Sequence, residues 1–228
     1  MNRILFSASI FVFTLSLSFG GAFAEGTLLA HYTLNQTAVD QTGNNPDATI
    51  DNAPYVEDCV YLNGNYIGSD PDSSQVLTPT ISALDFSALS AYVEFKVSEW
   101  PTSGYRPILI CGRSWRWMGA KMNSDGELCL FYNGLNTPYS TETVSLDEWH
   151  SLGLIHDGTT GYLVLDGVPL IEKDFTPNHG DDRRFVMHHS GNGIAFKGHV
   201  RNIMIYNGVE DTLPAEQGSW GSVKALFR

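Results

Sequence analysis

From Thr27 onward, apolar and polar residues alternate in short runs rich in Val, Ile, Tyr, Phe and Leu. Clusters of Gly, Asn, Asp and Pro interrupt these runs every ~8 to 12 residues, the spacing of short strands joined by turns. A period of two sends successive side chains to opposite faces of a strand, so the pattern predicts many half-buried strands and few helices. The turn chemistry agrees. Asn63-Gly64, Asp125-Gly126, Asp157-Gly158 and Asp166-Gly167 pair residues that tolerate the positive φ of tight hairpin turns. Trp117 to Met122 and Glu127 to Tyr132 therefore read as one hairpin around Asn123–Gly126. Trp149 to Ile155, Tyr162 to Leu165 and Val168 to Ile171 read as three consecutive strands. A strand such as Val200 to Tyr206 must bury at least one alternating face, and two stacked sheets bury many such faces at once. The expected fold class is all-β, a single-domain antiparallel β-sandwich with no internal repeat or linker.

The start of the chain has a different pattern. Arg3 precedes an apolar run from Ile4 to Phe19 and a small-x-small end, Ala22-Phe23-Ala24, which is the layout of a cleaved secretory signal. The run falls short of the ~20 apolar residues that a membrane span needs. The expected organisation is a signal peptide over 1–24, a folded domain over 25–210 and a tail over 211–228 that forms a short helix or docks loosely. Export exposes three cysteines, Cys59, Cys111 and Cys129, to an oxidising compartment. An odd number allows at most one internal disulfide and excludes a disulfide scaffold. Cys111 and Cys129 sit in apolar runs, where a buried, inert thiol is expected. With 43% hydrophobic and only 17% charged residues, the chain has the material for a packed core. Its formal net charge of −12 repels phosphate backbones and anionic membrane surfaces, which argues against nucleic acid and membrane insertion.

Leu29 to Leu34, Asp40-Gln41-Thr42-Gly43-Asn44, Tyr61 to Ile67, Ala91 to Val97, Trp149-His150 with Asp157-Gly158, Tyr162 to Gly167 and Phe196 to Asn207 together resemble the laminin-G-like group of concanavalin A-like jelly rolls. The order of the segments along most of the chain carries that resemblance. It implies a jelly-roll sandwich and, in the Asp40 loop, a structural Ca²⁺ held by Asp40 and Asn44 with a residue of the last strand. The family's acid at that last position stands here as Asn202, so one charge is missing. Trp149 is expected as a core anchor and His150 as a local orienting group.

Lectins, adhesion modules, hydrolases and lyases share this architecture, so the side chains must decide. The Glu-x-Asp-x-x-Glu strand of the superfamily's hydrolases is absent, and Glu94 and Glu99 lie five apart, on opposite faces of a strand. A lyase would draw on His188-His189 near Arg183-Arg184, and Asp181 to Arg184 reads by default as a solvated turn. Sugar recognition uses flat aromatic faces with hydrogen-bonding neighbours. Trp115 and Trp117 offer two indoles on one strand face, with Tyr105, Arg113 and His188 as neighbours, although the same spacing also fits two core indoles. The reading is a secreted non-catalytic module that binds carbohydrate or a glycosylated surface partner, with a structural Ca²⁺. A lyase or hydrolase is the alternative. A third reading is an adhesive protein that assembles through strand edges or its odd thiol.

Overall fold

The computed structural model describes residues 26–64, 74–102, 104–112, 118–177, 183–187 and 196–210. Fifteen strands cover these residues. They are β1 (Thr27–Tyr32), β2 (Thr49–Asp51), β3 (Tyr55–Val56), β4 (Cys59–Asn63), β5 (Gln75–Leu77), β6 (Leu89–Glu99), β7 (Tyr105–Cys111), β8 (Met118–Asn123), β9 (Leu128–Tyr132), β10 (Leu135–Asn136), β11 (Trp149–His156), β12 (Thr160–Leu165), β13 (Val168–Asp174), β14 (Phe185–Val186) and β15 (Lys197–Asn207). An eight-stranded sheet runs β13-β12-β11-β6-β15-β4-β3, with β1 also paired to β15. A seven-stranded sheet runs β10-β9-β8-β7-β14-β5-β2. Every ladder is antiparallel. The antiparallel sandwich that the alternation predicts is the fold.

Parity along the strands fixes what each face carries. On β6, Leu89, Ala91, Val93, Phe95 and Val97 enter the core, where they meet Met118, Ala120 and Met122 of β8 and Leu128 and Leu130 of β9. Each of the Leu, Val, Phe and Met side chains among them contributes about 1.5–3 kcal/mol when fully removed from water. The predicted hairpins form around their turns. In the β8–β9 turn the Asn123 side-chain oxygen accepts the N–H groups of Asp125 (2.9 Å) and Glu127 (3.0 Å). Asp166 and Gly167, between β12 and β13, have φ of 49° and 79°, the two left-handed residues that a type I′ turn requires.

Two expectations change. Trp149 does not anchor the core, because Leu152 and Leu154 take the inward parity of β11 and leave Trp149 half-buried on the outer face. A second apolar cluster of Tyr92, Ile155, Val164, Met204, Tyr206 and Val209 lies on that outer face. There Ser90 Oγ donates to Gly208 O (3.0 Å) and Tyr92 donates to Glu210 O, so residues 208–210 are tied across β6. Of the charged run Asp181 to Arg184, Asp181 and Asp182 lie outside the described residues, and Arg183 is half-buried and tethered rather than loose in solvent. Its Nη1 donates to Ser82 O at 2.6 Å, while Arg184 O accepts Gly112 N–H at 2.7 Å. The three cysteines are buried and form no disulfide, in keeping with inert thiols; burial pushes the thiols of Cys59 and Cys129 up.

Candidate functional site

The outer face of the seven-stranded sheet carries the most unusual set of side chains. Because Met118, Ala120 and Met122 fill the core, Gly119, Lys121 and Asn123 must face the other way. Register pairs Lys121 with Cys129 and Gly119 with Phe131 across β8 and β9. A Cβ at Gly119 would lie 3.0 Å from Ile110 Cγ1 and from Leu109 O, so glycine permits the close approach of β7 there.

Lys121 is only 1% exposed. Its Nζ lies 3.8 Å from the centroid of the Phe131 ring and 4.3 Å from that of Tyr105, and it donates to Asn136 Oδ1 at 3.2 Å. Burial pulls its pKa down to about 8, yet the amine stays mostly charged at neutral pH. Two ring faces and an amide oxygen offset part of the cost of removing that charge from water. Tyr139 hydrogen-bonds Cys129 beside it, and burial with that thiol pushes the phenol up to about 12. Lys121 thus forms the floor. Asn136 is exposed and Tyr139 is 36% exposed, whereas Tyr105 is half-buried at the edge. Since Lys121 binds the oxygen of the Asn136 amide, the Nδ2 end is presented for an outside acceptor.

Of the ligand residues read from the sequence, Tyr105 belongs to this cluster, while Arg113, Trp115, Trp117 and His188 lie outside the described residues. Lys121, Asn136 and Tyr139 were not singled out. A lone Lys in an alternating strand reads as solvent-facing, and the one clue was that its cross-strand partners, Cys129 and Phe131, are apolar.

Two polar constellations lie elsewhere. On the outer face of the eight-stranded sheet, Tyr61, His199, Lys96 and Trp149 are consecutive register partners across β4, β15, β6 and β11. The Arg201 guanidinium lies 4.1 Å from the Trp149 ring and pairs with Glu94 and Asp58, both at 2.6 Å. Glu99 instead pairs with Lys197 at 3.0 Å. The two glutamates thus serve different cations.

His150 is the centre of the second constellation. Its Nδ1 is 2.7 Å from Asp166 Oδ2, and its Nε2 is 2.8 Å from Ser145 Oγ. That connectivity matches a Ser-His-Asp triad, but the Ser145 hydroxyl donates to Glu148 Oε2 at 2.5 Å. The proton that His150 would need to remove is already held by a carboxylate. The hydrogen bond to Asp166 raises the His150 pKa against its burial, and the two ring nitrogens tie the Ser145–Glu148 loop to the Asp166 turn. His150 orients locally, as read.

Asp40 sits at the β1 edge, bridged to Tyr32. Its Oδ1 accepts N–H from His31 (2.9 Å) and Thr42 (3.1 Å), the latter closing an Asx turn. Its Oδ2 accepts Thr42 Oγ1 (2.7 Å), Asn45 N (2.9 Å) and Asn45 Nδ2 (2.9 Å). Burial alone would raise this carboxyl, but the donors outweigh it and hold the pKa at about 2. Asn44 is exposed and its N–H turns to Thr42 Oγ1 (3.3 Å), while Asn202 bonds the His31 side chain. The loop is thus tied by hydrogen-bond donors where the resemblance implies a cation. Among the described residues no group of three or more His, Cys, Asp or Glu side chains is placed to hold a metal ion.

The sequence matches no protein-family model and no curated protein. Solved structures do resemble the fold. Domain 4 of AbnA, an extracellular GH43 arabinanase of Geobacillus stearothermophilus solved with arabinotriose, superposes with a TM-score of 0.60 at 18% identity, over 81% of this chain and 94% of that one. Trypanosoma rangeli sialidase, solved with the inhibitor DANA, gives 0.65 at 17% identity over 88% of this chain and 32% of its own. A structure of botulinum neurotoxin type C, whose cell entry depends on two ganglioside molecules, gives 0.61 at 10% identity over 88% of this chain and 50% of that one. This chain therefore spans all but the margins of the arabinanase domain and only part of the two larger proteins. At these identities the likeness is one of fold, the β-sandwich.

Proposed function

We propose that this protein is an exported, non-catalytic carbohydrate-binding module of the laminin-G-like, concanavalin A-like kind, and that it holds its ligand on the outer face of the seven-stranded sheet. The observation that carries this reading is the convergence of Tyr105, Asn136 and Tyr139 over the buried Lys121. Rings supply flat apolar faces for the C–H side of a sugar, and the Asn136 Nδ2 group supplies donors for its hydroxyls. Lys121 is a positioning residue that keeps the amide turned outward. The arabinotriose bound by the arabinanase domain and the gangliosides, glycolipids with a sugar headgroup, on which the neurotoxin depends are sugar-bearing ligands of proteins that contain this sandwich, which supports the same class of ligand here.

The test is affinity electrophoresis and a glycan array with the purified chain, its Asn136→Ala and Tyr139→Ala variants, and Lys121→Met. Both rim variants should stay folded and lose binding, with Asn136→Ala also destabilised by about 1–3 kcal/mol because the buried Lys121 loses its amide acceptor. Lys121→Met keeps the buried volume and should weaken binding through the loosened amide. Rim variants that bind like wild type would refute the placement.

A further inference from the structure

At one end of the sandwich, Gly64, Glu99, Trp100, Pro101, Thr102, Arg106 and Lys197 line a shallow, solvent-open cleft. It is separate from the Lys121 face, because Arg106 pairs in register with the core residue Met122 and so has the opposite parity to Tyr105.

The walls are fixed from behind. Trp100 Nε1 donates to Val144 O at 3.0 Å, and a Cβ at Gly126 would lie 2.7 Å from that nitrogen. The indole is therefore clamped while Trp100 remains 38% exposed. Gly64 has φ of +75°, and a Cβ there would lie 2.9 Å from Lys197 Cβ, so a bare backbone supports the base of the lysine stem. The Arg106 Nη1 donates to Tyr105 O at 3.3 Å, which orients the guanidinium.

Charge narrows the ligand. Among the described residues two cations and one carboxylate line the cleft, a local excess of positive charge on a chain of net charge −12. Neutral sugars do not need it. A carboxylate does, and it would compete with Glu99 for Lys197 (3.0 Å apart) while its ring lies against Trp100. We propose that this cleft is a second ligand site, which takes a terminal sugar bearing a carboxylate, a uronic or a sialic acid.

The experiment is saturation-transfer NMR and calorimetric titration of the purified chain with galacturonate and N-acetylneuraminate, and with galactose as the neutral control. Either acid should bind saturably where galactose does not, and the tighter acid identifies the source. Lys197→Gln should weaken acid binding about tenfold, the loss of one charge-assisted contact. Glu99→Gln should strengthen it, because the competing carboxylate is gone; a merely structural ion pair would give no gain. Asn136→Ala should bind the acid like wild type, so failure here and failure of the sheet-face reading are separable. Equal binding of galactose and the acids overturns the proposal, as does an unchanged affinity in both the Lys197 and Glu99 variants.

Discussion

Replacing Asp40 by Asn removes one negative charge while keeping the size of the side chain, and it tests what holds the first loop. In the folded chain the carboxylate accepts five hydrogen bonds and has a pKa of about 2 against an ordinary 3.8. At ~1.36 kcal/mol per pH unit, that difference amounts to about 2.4 kcal/mol at neutral pH. Solvent at the loop rim screens part of it, which leaves on the order of 1 kcal/mol. A depressed carboxyl stabilises the fold above its unfolded pKa of 3.8, and this contribution is lost as pH falls through about 2. In Asp40→Asn the new amide N–H₂ also faces donors, at a further cost of about 1–3 kcal/mol. Urea unfolding at pH 7 should show the variant destabilised by about 2–4 kcal/mol, and the gap should narrow by on the order of 1 kcal/mol as pH falls from 4 to 2. The same titrations with a chelator and with added calcium decide the cation, since donors that already fill both oxygens leave nothing for chelation to remove. An unchanged gap across that pH range would refute the donor account. So would a melting temperature that drops in chelator for wild type and not for Asp40→Asn, which would return the loop to Ca²⁺.

The His150 latch has the opposite sign. Its folded pKa is raised above 6.5 by Asp166, so its stabilisation is complete below pH 6.5 and is lost as pH rises through the folded value. Thermal melts from pH 6 to 9 should show this decline in wild type and a flatter profile in Asp166→Asn; identical profiles would sink the latch. The buried cysteines should stay unreactive to a thiol reagent in the native chain and titrate as three only in denaturant. Rapid native labelling, or a disulfide-linked dimer on a non-reducing gel, would favour the adhesive reading instead.

Much of the fold was legible because its signals are local. A period of two and the turn pairs Asp166-Gly167 and Asp125-Gly126 act within a few residues, and the structure places turns there, with positive φ at Asp166, Gly167 and Gly126. What was harder to read depended on which groups each side chain meets in the fold. Trp149 opens its strand as a core residue would, but the face it takes is set by the inward Leu152 and Leu154 and by Lys96 opposite it. At Asp40 the carboxylate is visible in the sequence, whereas the backbone N–H groups of His31 and Asn45 that bond it are carried by every residue and leave no mark there.

Lys121 makes the same point from the opposite side. Its parity was predictable, since Ala120 and Met122 face the core, and an outward Lys at the surface of a sheet needs no explanation. Its burial was not predictable, because cover comes from chain beyond its own hairpin, where Asn136 reaches Lys121 and Tyr139 reaches Cys129. In a sandwich, the inward faces are filled by packing and say little about ligands. Chemistry is concentrated at outward positions that later chain has covered, such as Lys121 at 1% exposure and Glu94 at 7%. There a charge is held away from water by a few specific partners, so its geometry is fixed, and fixed polar geometry beside an exposed rim is what a binding site requires. Glu94 is consumed by Arg201. Lys121 instead holds an amide whose other end faces outward, and for that reason the seven-stranded sheet is the side on which to look for the ligand.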